Sequence, residues 1–455
     1  MRNLILWFRR DLRLADNPAF AWAVKQRAGI IPVYLYAPKE EEPWVPGAAS
    51  RWWLHHSLAA LSKGLRARGL RLSCYRGDSI QILKTLAEDA KACTLVANRL
   101  HDPHLEQRDR ALEKALSGQG IDIRFFDSEL LFTPGTLNNQ QDKPYRVFTA
   151  FWRKARALLE VEPPVAVSTL PKGRLLSASA GDTDTDSSVE SLGLLDINPW
   201  HNKLHDHWCP GEENAHRQLQ RFLENGLSDY QKRRDYPAIT GSSRLSPHFH
   251  FGEITTRQVV RILLSRVTSA NAETRKSIEC FLSELGWREF SHHLLWHFPD
   301  SSRQSMNPKF ADAFWRRNNA ELRAWQLGNT GVALVDAGMK ELWETGWMHN
   351  RVRMIVGSFL TKNLGLHWRA GAEWFWDTLV DADLANNSLG WQWIAGCGVD
   401  AAPYYRIFNP DTQAKRFDPE RAYIRKWLGG ISQRPPIVDL SESRKQALAR
   451  YRQHS

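Results

Sequence analysis

NLILWFRRDLRLADNPAFAWAVKQRAGIIPVYLY (3–36) decides the fold. Its two apolar runs, 3–8 and 30–36, are rich in branched and aromatic residues, and a helical pattern over 18–27 separates them. Near-continuous apolar strands joined through a helix predict parallel pairing, because strands in such a sheet are covered on both faces. The unit then repeats: β-rich runs stand at 71–76, 93–98 and 122–127, with helical patterns at 51–69, 79–90 and 104–118. Residues 1–130 are therefore expected to form a doubly wound, Rossmann-like parallel α/β domain. No GxGxxG or GxxxxGK[ST] follows any strand, which argues against a glycine-rich nucleotide clamp.

The character changes further along. Residues 131–203 read as an interdomain linker. Within it PYRVFTAFWRKARALL (144–159) has a helical pattern, whereas 165–196, poor in aromatics and containing GDTDTDSSVES, reads as exposed. From 204 to 455 the periodicity is helical, with candidate helices at 212–226, 253–267, 272–294, 319–327, 332–345, 347–362, 370–378 and 441–452. This half is expected to be all-α. DADLANNSLGWQW (381–393) shows little helical pattern, and 409–455 reads as a polar tail ending in a short charged helix.

Composition narrows the function. Lys and Arg number 61 against 50 Asp and Glu, a formal charge of +11, which favours a polyanionic partner. Five scattered cysteines, none in CxxC spacing, argue against a disulfide framework, a zinc site or an iron–sulfur cluster, and fit a reducing compartment. The mean hydropathy is −0.47 and no run of 18 apolar residues occurs, so a cytoplasmic protein with no membrane span is expected. Tryptophan is the unusual residue: eleven of the 20 lie between Trp287 and Trp393. That density suggests stacking or electron transfer for some of them, beside the ordinary role of core packing.

Four constellations could carry chemistry. In 277–295, Phe281, Glu284 and Arg288 fall on one helix stripe beside Trp287. Glu284 is then either a satisfied core carboxylate or an acceptor for a ligand N–H. In TGWMHNRVRM (345–354), Asn350 and Met354 share a face with Arg351 adjacent. This is either a capped helix with exposed arginines or a polar edge-reader, a soft packing group and a phosphate-facing cation. Asp381 and Asp383 lie two apart, too few oxygen ligands for a metal site, so hydrogen bonding to a heterocycle is the alternative. Ser242, Ser243 and Ser246 precede or open a helix start marked by Pro247, as an ordinary cap or as a pyrophosphate cradle.

Taken together these segments resemble the photolyase/cryptochrome family, and look closest to bacterial photolyases that repair cyclobutane pyrimidine dimers. The similarity runs through LWFRRDLRLADNPAF (6–20), PYRVFTAFWR, YQKRRDYPAITGSSRLSPHFHFGEI, ELGWREF, TGWMHNRVRM, DADLANNSLGWQW and APYYRIFNP (402–410). It implies FAD in the helical domain and an antenna chromophore associated with the α/β domain. The resemblance places Tyr230, Ser242, Ser243, Arg244, Leu245 and Ser246 against the phosphates and adenosine. Phe281 stands where many relatives have Trp, and Arg288 counts among the cofactor contacts. Asp381 and Asp383 match the flavin's polar edge, with Arg353 paired to Asp381, and Asn387 faces flavin N5. Trp391, Trp368 and Trp315 match the chain that feeds electrons to the flavin.

The lesion pocket implied by the resemblance comprises Glu284, Asn350 and Met354, with Trp287 as the aromatic against which the dimer packs. Arg234, Arg351, Arg406 and Gln413 match contacts to the DNA backbone. The expected activity is light-driven electron transfer to a flipped-out dimer in UV-damaged DNA, by a monomer with no metal. A sensory blue-light cryptochrome and (6-4) photoproduct repair are the alternatives. Asn350 and Met354 disfavour the latter, whose members place histidines there. For the antenna, folate is expected over deazaflavin, although the folate-contacting acid of one group aligns with Leu105, next to Glu106.

Overall fold

β1 (Asn3–Phe8), β2 (Gly29–Tyr36), β3 (Ser73–Arg76), β4 (Ala92–Asn98) and β5 (Asp122–Phe126) form one wholly parallel sheet in the order β3-β2-β1-β4-β5. The computed structural model describes residues 3–26, 28–160, 163–166, 187–195, 200–400, 405–429 and 434–454. Every residue of β2 and nearly all of β1 is buried, as strands covered on both faces require. The crossovers run through α1 (Pro18–Lys25), α2 (Ala48–Arg66), α3 (Ser79–Asp89) and α4 (Pro103–Ser117). Asn17 caps α1 by accepting from the Phe20 N–H, with Pro18 at the first helical position, and Asp78 caps α3. Strand order reverses between β1 and β4, which opens a crevice at their C-terminal ends. Arg9 and Arg10 leave β1 there and pair with Asp109 and Asp102.

The helical half comprises α5 (Phe148–Ala157), α6 (Glu212–Asn225), α7 (Tyr230–Arg233), α8 (Ser246–His250), α9 (Thr256–Val267), α10 (Ala272–His297), α11 (Asn319–Gln326), α12 (Ala333–Thr345), α13 (Asn350–Ser358), α14 (Trp368–Thr378), α15 (Leu384–Ala395), α16 (Pro410–Phe417), α17 (Ala422–Leu428) and α18 (Leu440–Gln453). Its cores gather around α10 and around α12–α15, where Trp325, Met339, Val356, Phe359 and Trp368 are inaccessible to solvent or nearly so. Among the described residues, no helix is long and apolar enough to cross a membrane.

Four sequence expectations need correction. DADLANNSLGWQW is helical from Leu384: the Asp383 side chain accepts the Asn386 N–H at 2.9 Å, and Gly396, at φ +82°, ends the helix. The periodicity was invisible because buried residues surround α15, which removes the polar stripe that marks a surface helix. The tail is also not a polar appendage. Tyr423 of α17 is buried and donates from Oη to Glu341 of α12 at 2.6 Å.

The helix expected over 347–362 starts at Asn350 and passes into a π-helical turn, Phe359–Asn363. Within the stretch read as exposed linker, 167–186 and 196–199 lie outside the described residues. The part 187–195 is not exposed throughout: Val189, Leu192 and Leu194 are buried in the core of the α/β domain, and Cys74 donates its N–H to the Ser187 carbonyl at β3.

Candidate functional site

A short loop between α14 and α15 turns its two carboxylates in different directions. Asp381 receives Nη2 of Arg353 at 3.0 and 2.8 Å, and the hydroxyl of Ser246 donates to it at 2.6 Å. Arg353 is itself held by a bond from Nε to the Met348 carbonyl at 2.8 Å. Asp383 faces His250 and His292 at 3.5 and 3.6 Å while capping α15. Burial alone would raise the Asp383 carboxyl, but the His292 and His250 imidazoles outweigh it and hold the group well below the usual range. The same contact raises His292 against the effect of its own burial.

Arg288, one turn beyond Glu284 on α10, turns to acids of its own. Its guanidinium reaches the Glu129 carbonyl at 3.5 Å and the Glu289 carboxylate at 3.4 Å. Glu284 and Arg288 stand one turn apart on a single stripe of α10, and their side chains serve different partners. Two acids draw Arg288 inward, and one of them, Glu289, is locked by the Leu131 N–H at 2.8 Å.

A second wall is the loop 242–245. Arg244 adopts φ +54°, in the left-handed region that costs energy for a residue with a Cβ. Its guanidinium lies 4.2 Å from the Trp208 ring centroid and 5.2 Å from that of Trp347, and its Nε is a buried donor with no acceptor among the described residues. Ser242 and Ser243 are half-buried, Ser246 is exposed and Leu245 is buried. Tyr230 packs edge-on to Phe281, centroids 5.1 Å apart, behind them. An unsatisfied cationic donor, serine hydroxyls and an Arg–Asp pair that the Ser246 hydroxyl reaches suit a ligand that joins phosphates to a flat, hydrogen-bonding heterocycle.

The rim is organised by two consecutive residues. Arg234 donates from Nη1 to the Glu284 carboxylate on α10, and Asp235 accepts from Arg351 on α13 at 2.7 Å. Arg351 in turn touches the Met354 sulfur at 3.9 Å and covers the Phe417 ring at 4.4 Å. Asn350, the first residue of α13, is exposed. Trp287 is half-buried and stacked face to face on Phe148, centroids 3.7 Å apart and planes 10° apart, so packing covers one indole face. Outside Glu284 an open groove of about 480 Å³ runs past Arg234, Arg275 and Lys276. Arg406 is exposed over Trp393 at 5.4 Å, and Gln413 is half-buried on α16.

The indoles sit apart from this rim. Trp391 of α15 is buried against Phe375 and Trp325, with centroids at 5.0 and 6.1 Å, and lies on α14 where Gly371 leaves no Cβ in its way. Asn387, one turn before it, donates from Nδ2 to the Ala372 carbonyl at 3.0 Å. Trp368 is fully buried and its Nε1 donates to the Ser305 hydroxyl at 3.1 Å. Trp315 donates from Nε1 to the Phe310 carbonyl at 3.2 Å.

Fold logic allows a ligand in the crevice at the strand C-termini, but sequence reasoning named none of the residues of the narrow cleft found there between the two halves, lined by Arg10, Tyr34, Glu41, Trp44, His250 and Trp376 among others. Burial pushes the Glu41 carboxyl up to about 7, although Arg10 and Arg108 pull it down. The signal that could have found this cleft is the Arg9–Arg10 pair directly after β1, at the reversal of strand order. Glu106 faces elsewhere, accepting from Trp296 Nε1 at 3.0 Å and from Arg110 at 2.9 Å, and Leu105 is buried.

Comparison with known proteins fits this geometry. Residues 4–170 match the family described as DNA photolyase, and 281–435 match the FAD binding domain of DNA photolyase. The deoxyribodipyrimidine photo-lyase of Agrobacterium fabrum is 41% identical over 98% of this chain and 97% of its own. Cryptochrome-2 of Arabidopsis thaliana is 37% identical over 95% of this chain and 71% of its own. Among solved structures, a bacterial class III photolyase from Agrobacterium tumefaciens superposes with a TM-score of 0.91 at 38% identity, covering 100% of this chain and 98% of that one.

Proposed function

The chain belongs to the photolyase/cryptochrome family, and on that premise we propose that it splits cyclobutane pyrimidine dimers in DNA under blue light. The reading is carried by Arg234 and Asp235, which tie Glu284 of α10 and the Asn350–Met354 turn of α13 to one cationic rim.

FAD fits the wall of Arg244, the serines and the Arg353–Asp381 pair, since Arg244 offers a buried donor with no acceptor among the described residues. Bound and reduced, it supplies an excitable one-electron donor. The protein's own residues do the rest. Arg234, Arg351, Arg406 and Gln413 hold the DNA backbone and fix its register. A flipped-out dimer packs on the free side of Trp287, its other side being covered by Phe148. Glu284 and Asn350 hydrogen-bond the dimer's polar edge, and Met354 fills against its rings. Asn387 stands by the flavin, and Trp391, Trp368 and Trp315 restore its electron.

In this reading the helical part from 204 onward carries FAD and DNA, while the α/β domain, taken as 1–130, borders the antenna. The cleft at Glu41, Trp44 and Trp376 suits a flat antenna chromophore. We favour folate over deazaflavin, held between the domains rather than at Glu106, whose carboxylate Trp296 and Arg110 occupy.

The same test separates this reading from the cryptochrome alternative, which the 37% identity to Cryptochrome-2 keeps in view. Chemically reduced, FAD-loaded protein is mixed with UV-irradiated oligonucleotide and lit at blue wavelengths. Thymine recovery from purified cyclobutane dimers, absent in the dark, is expected. Recovery only from (6-4) photoproducts would overturn the substrate, and recovery from neither would leave a sensory role.

A further inference from the structure

His367 lies between two tryptophans. Its ring centroid is 5.3 Å from that of Trp315 and 5.7 Å from that of Trp368. Both nitrogens are committed. Nδ1 accepts the Arg369 N–H at 3.0 Å, which caps α14, and Nε2 lies 3.3 Å from Asp312. A nitrogen that accepts carries no proton, so the ring has one proton, on Nε2, and is neutral.

We propose that His367 is a positioning residue that governs the arrival of positive charge on the Trp368–Trp315 pair: a neutral imidazole there lets either indole carry the charge, and an imidazolium would repel it from both. The inference rests on reading these tryptophans as a relay. In the step, one electron leaves the Trp315 indole for the Trp368 radical cation. Trp368 is restored, Trp315 becomes the radical cation and no proton moves; a soluble thiol then refills Trp315. A like charge five to six ångströms from both rings would disfavour the radical cation on either of them, alter the hop between them little, and hold the charge back toward the flavin.

The surroundings keep the ring neutral. Burial lowers its affinity for a proton, Arg369 on its own helix and Arg317 act in the same direction, and Asp312 opposes them. The charge-free state therefore holds at neutral pH and gives way only in acid.

The test is flash photoreduction of the FAD-loaded protein with thiol from pH 8 to pH 5. The yield is expected to fall by roughly tenfold or more as His367 charges, and the His367 imidazole followed by nitrogen NMR in the dark should titrate over the same interval. His367→Asn retains a capping side chain and should abolish this acid limb. Asp312→Asn should move the limb to lower pH, because it removes the group that favours the charged ring. A His367→Asn profile identical to the wild type, or an imidazole titration with no change in yield, would overturn the proposal. Were Trp368→Phe to leave photoreduction intact, the relay itself would be refuted. A block by Trp368→Phe combined with a wild-type profile for His367→Asn would refute only the tuning.

Discussion

Arg353 presents one nitrogen to both oxygens of Asp381, and the exposed hydroxyl of Ser246 bonds the nearer of them. A buried carboxylate is thus poised between a cation and a group facing open space. Asp381→Asn leaves Arg353 without its charge and should weaken flavin retention by about 2 kcal/mol, roughly thirtyfold. Ser246→Ala should cost about 1 kcal/mol or less. Flavin absorbance per polypeptide after gel filtration reads both, and equal losses would show that the carboxylate has no special part.

Glu284→Ala should reduce repair by prereduced protein at least about tenfold, the cost of one charge-assisted hydrogen bond to the lesion. Its pair with Arg234 is partly exposed, so stability should change by no more than about 1 kcal/mol. Flavin content should stay constant; its loss would recast Glu284 as structural.

Trp315→Phe should slow photoreduction of oxidised flavin by at least roughly tenfold and leave repair by chemically reduced protein unchanged, since phenylalanine is far harder to oxidise but keeps the packing. Comparing photoreduction rate with single-turnover repair checks this. A parallel collapse of both would show that Trp315 supports the fold around the lesion instead.

His349 caps α13 and is buried, which lowers its pKa to about 4, with Asp235 opposing and Arg351 and Arg353 assisting. Because the folded value lies below the unfolded one, its contribution to stability is fully present above about 6.5 and is lost as pH falls toward 4. The difference amounts to about 3 kcal/mol at neutral pH. His349→Asn preserves a cap and should flatten the fall in unfolding free energy between pH 6.5 and 4 relative to the wild type. Unchanged steepness would place the acid sensitivity in other histidines.

Gly371→Ala would drive a Cβ into the Trp391 ring. Overpacking of this kind costs about 1–3 kcal/mol. Thermal denaturation should show the loss, and photoreduction should slow because the first indole of the relay is displaced. An unaltered Tm would mean that α14 and α15 separate freely.

The sheet was readable because burial on both faces leaves a plain signature: NLILWF is β1 from end to end. Helices with one wet face were equally plain, α6 and α18 among them. Elements enclosed on most sides were not. In α15 polar and apolar residues face neighbours alike, and α17 depends on one buried tyrosine whose partner, Glu341, lies 82 positions away. The pairing of Arg353 with Asp381 could be anticipated only through resemblance. The Arg234–Glu284 pair went unread because its residues lie 50 positions apart, and the residues lining the Glu41 cleft because its far wall belongs to the other half of the chain. The stretch around Val189 misled because acidic and hydroxyl residues outnumber its three apolar anchors.

Those anchors constrain how the protein is made. Val189, Leu192 and Leu194 join the hydrophobic interior beneath a sheet whose last strand ends at Phe126. Domains generally fold in order as the nascent chain leaves the ribosome. Here the first one must wait, with its β3 margin uncovered, until the helix Phe148–Ala157 and the segment after it have been synthesised. A gene fragment stopped at residue 130 would therefore leave the β3 margin open, and one extended through residue 195 would cover that margin while still lacking Leu204, Trp208, Phe251 and Val380 of the same core.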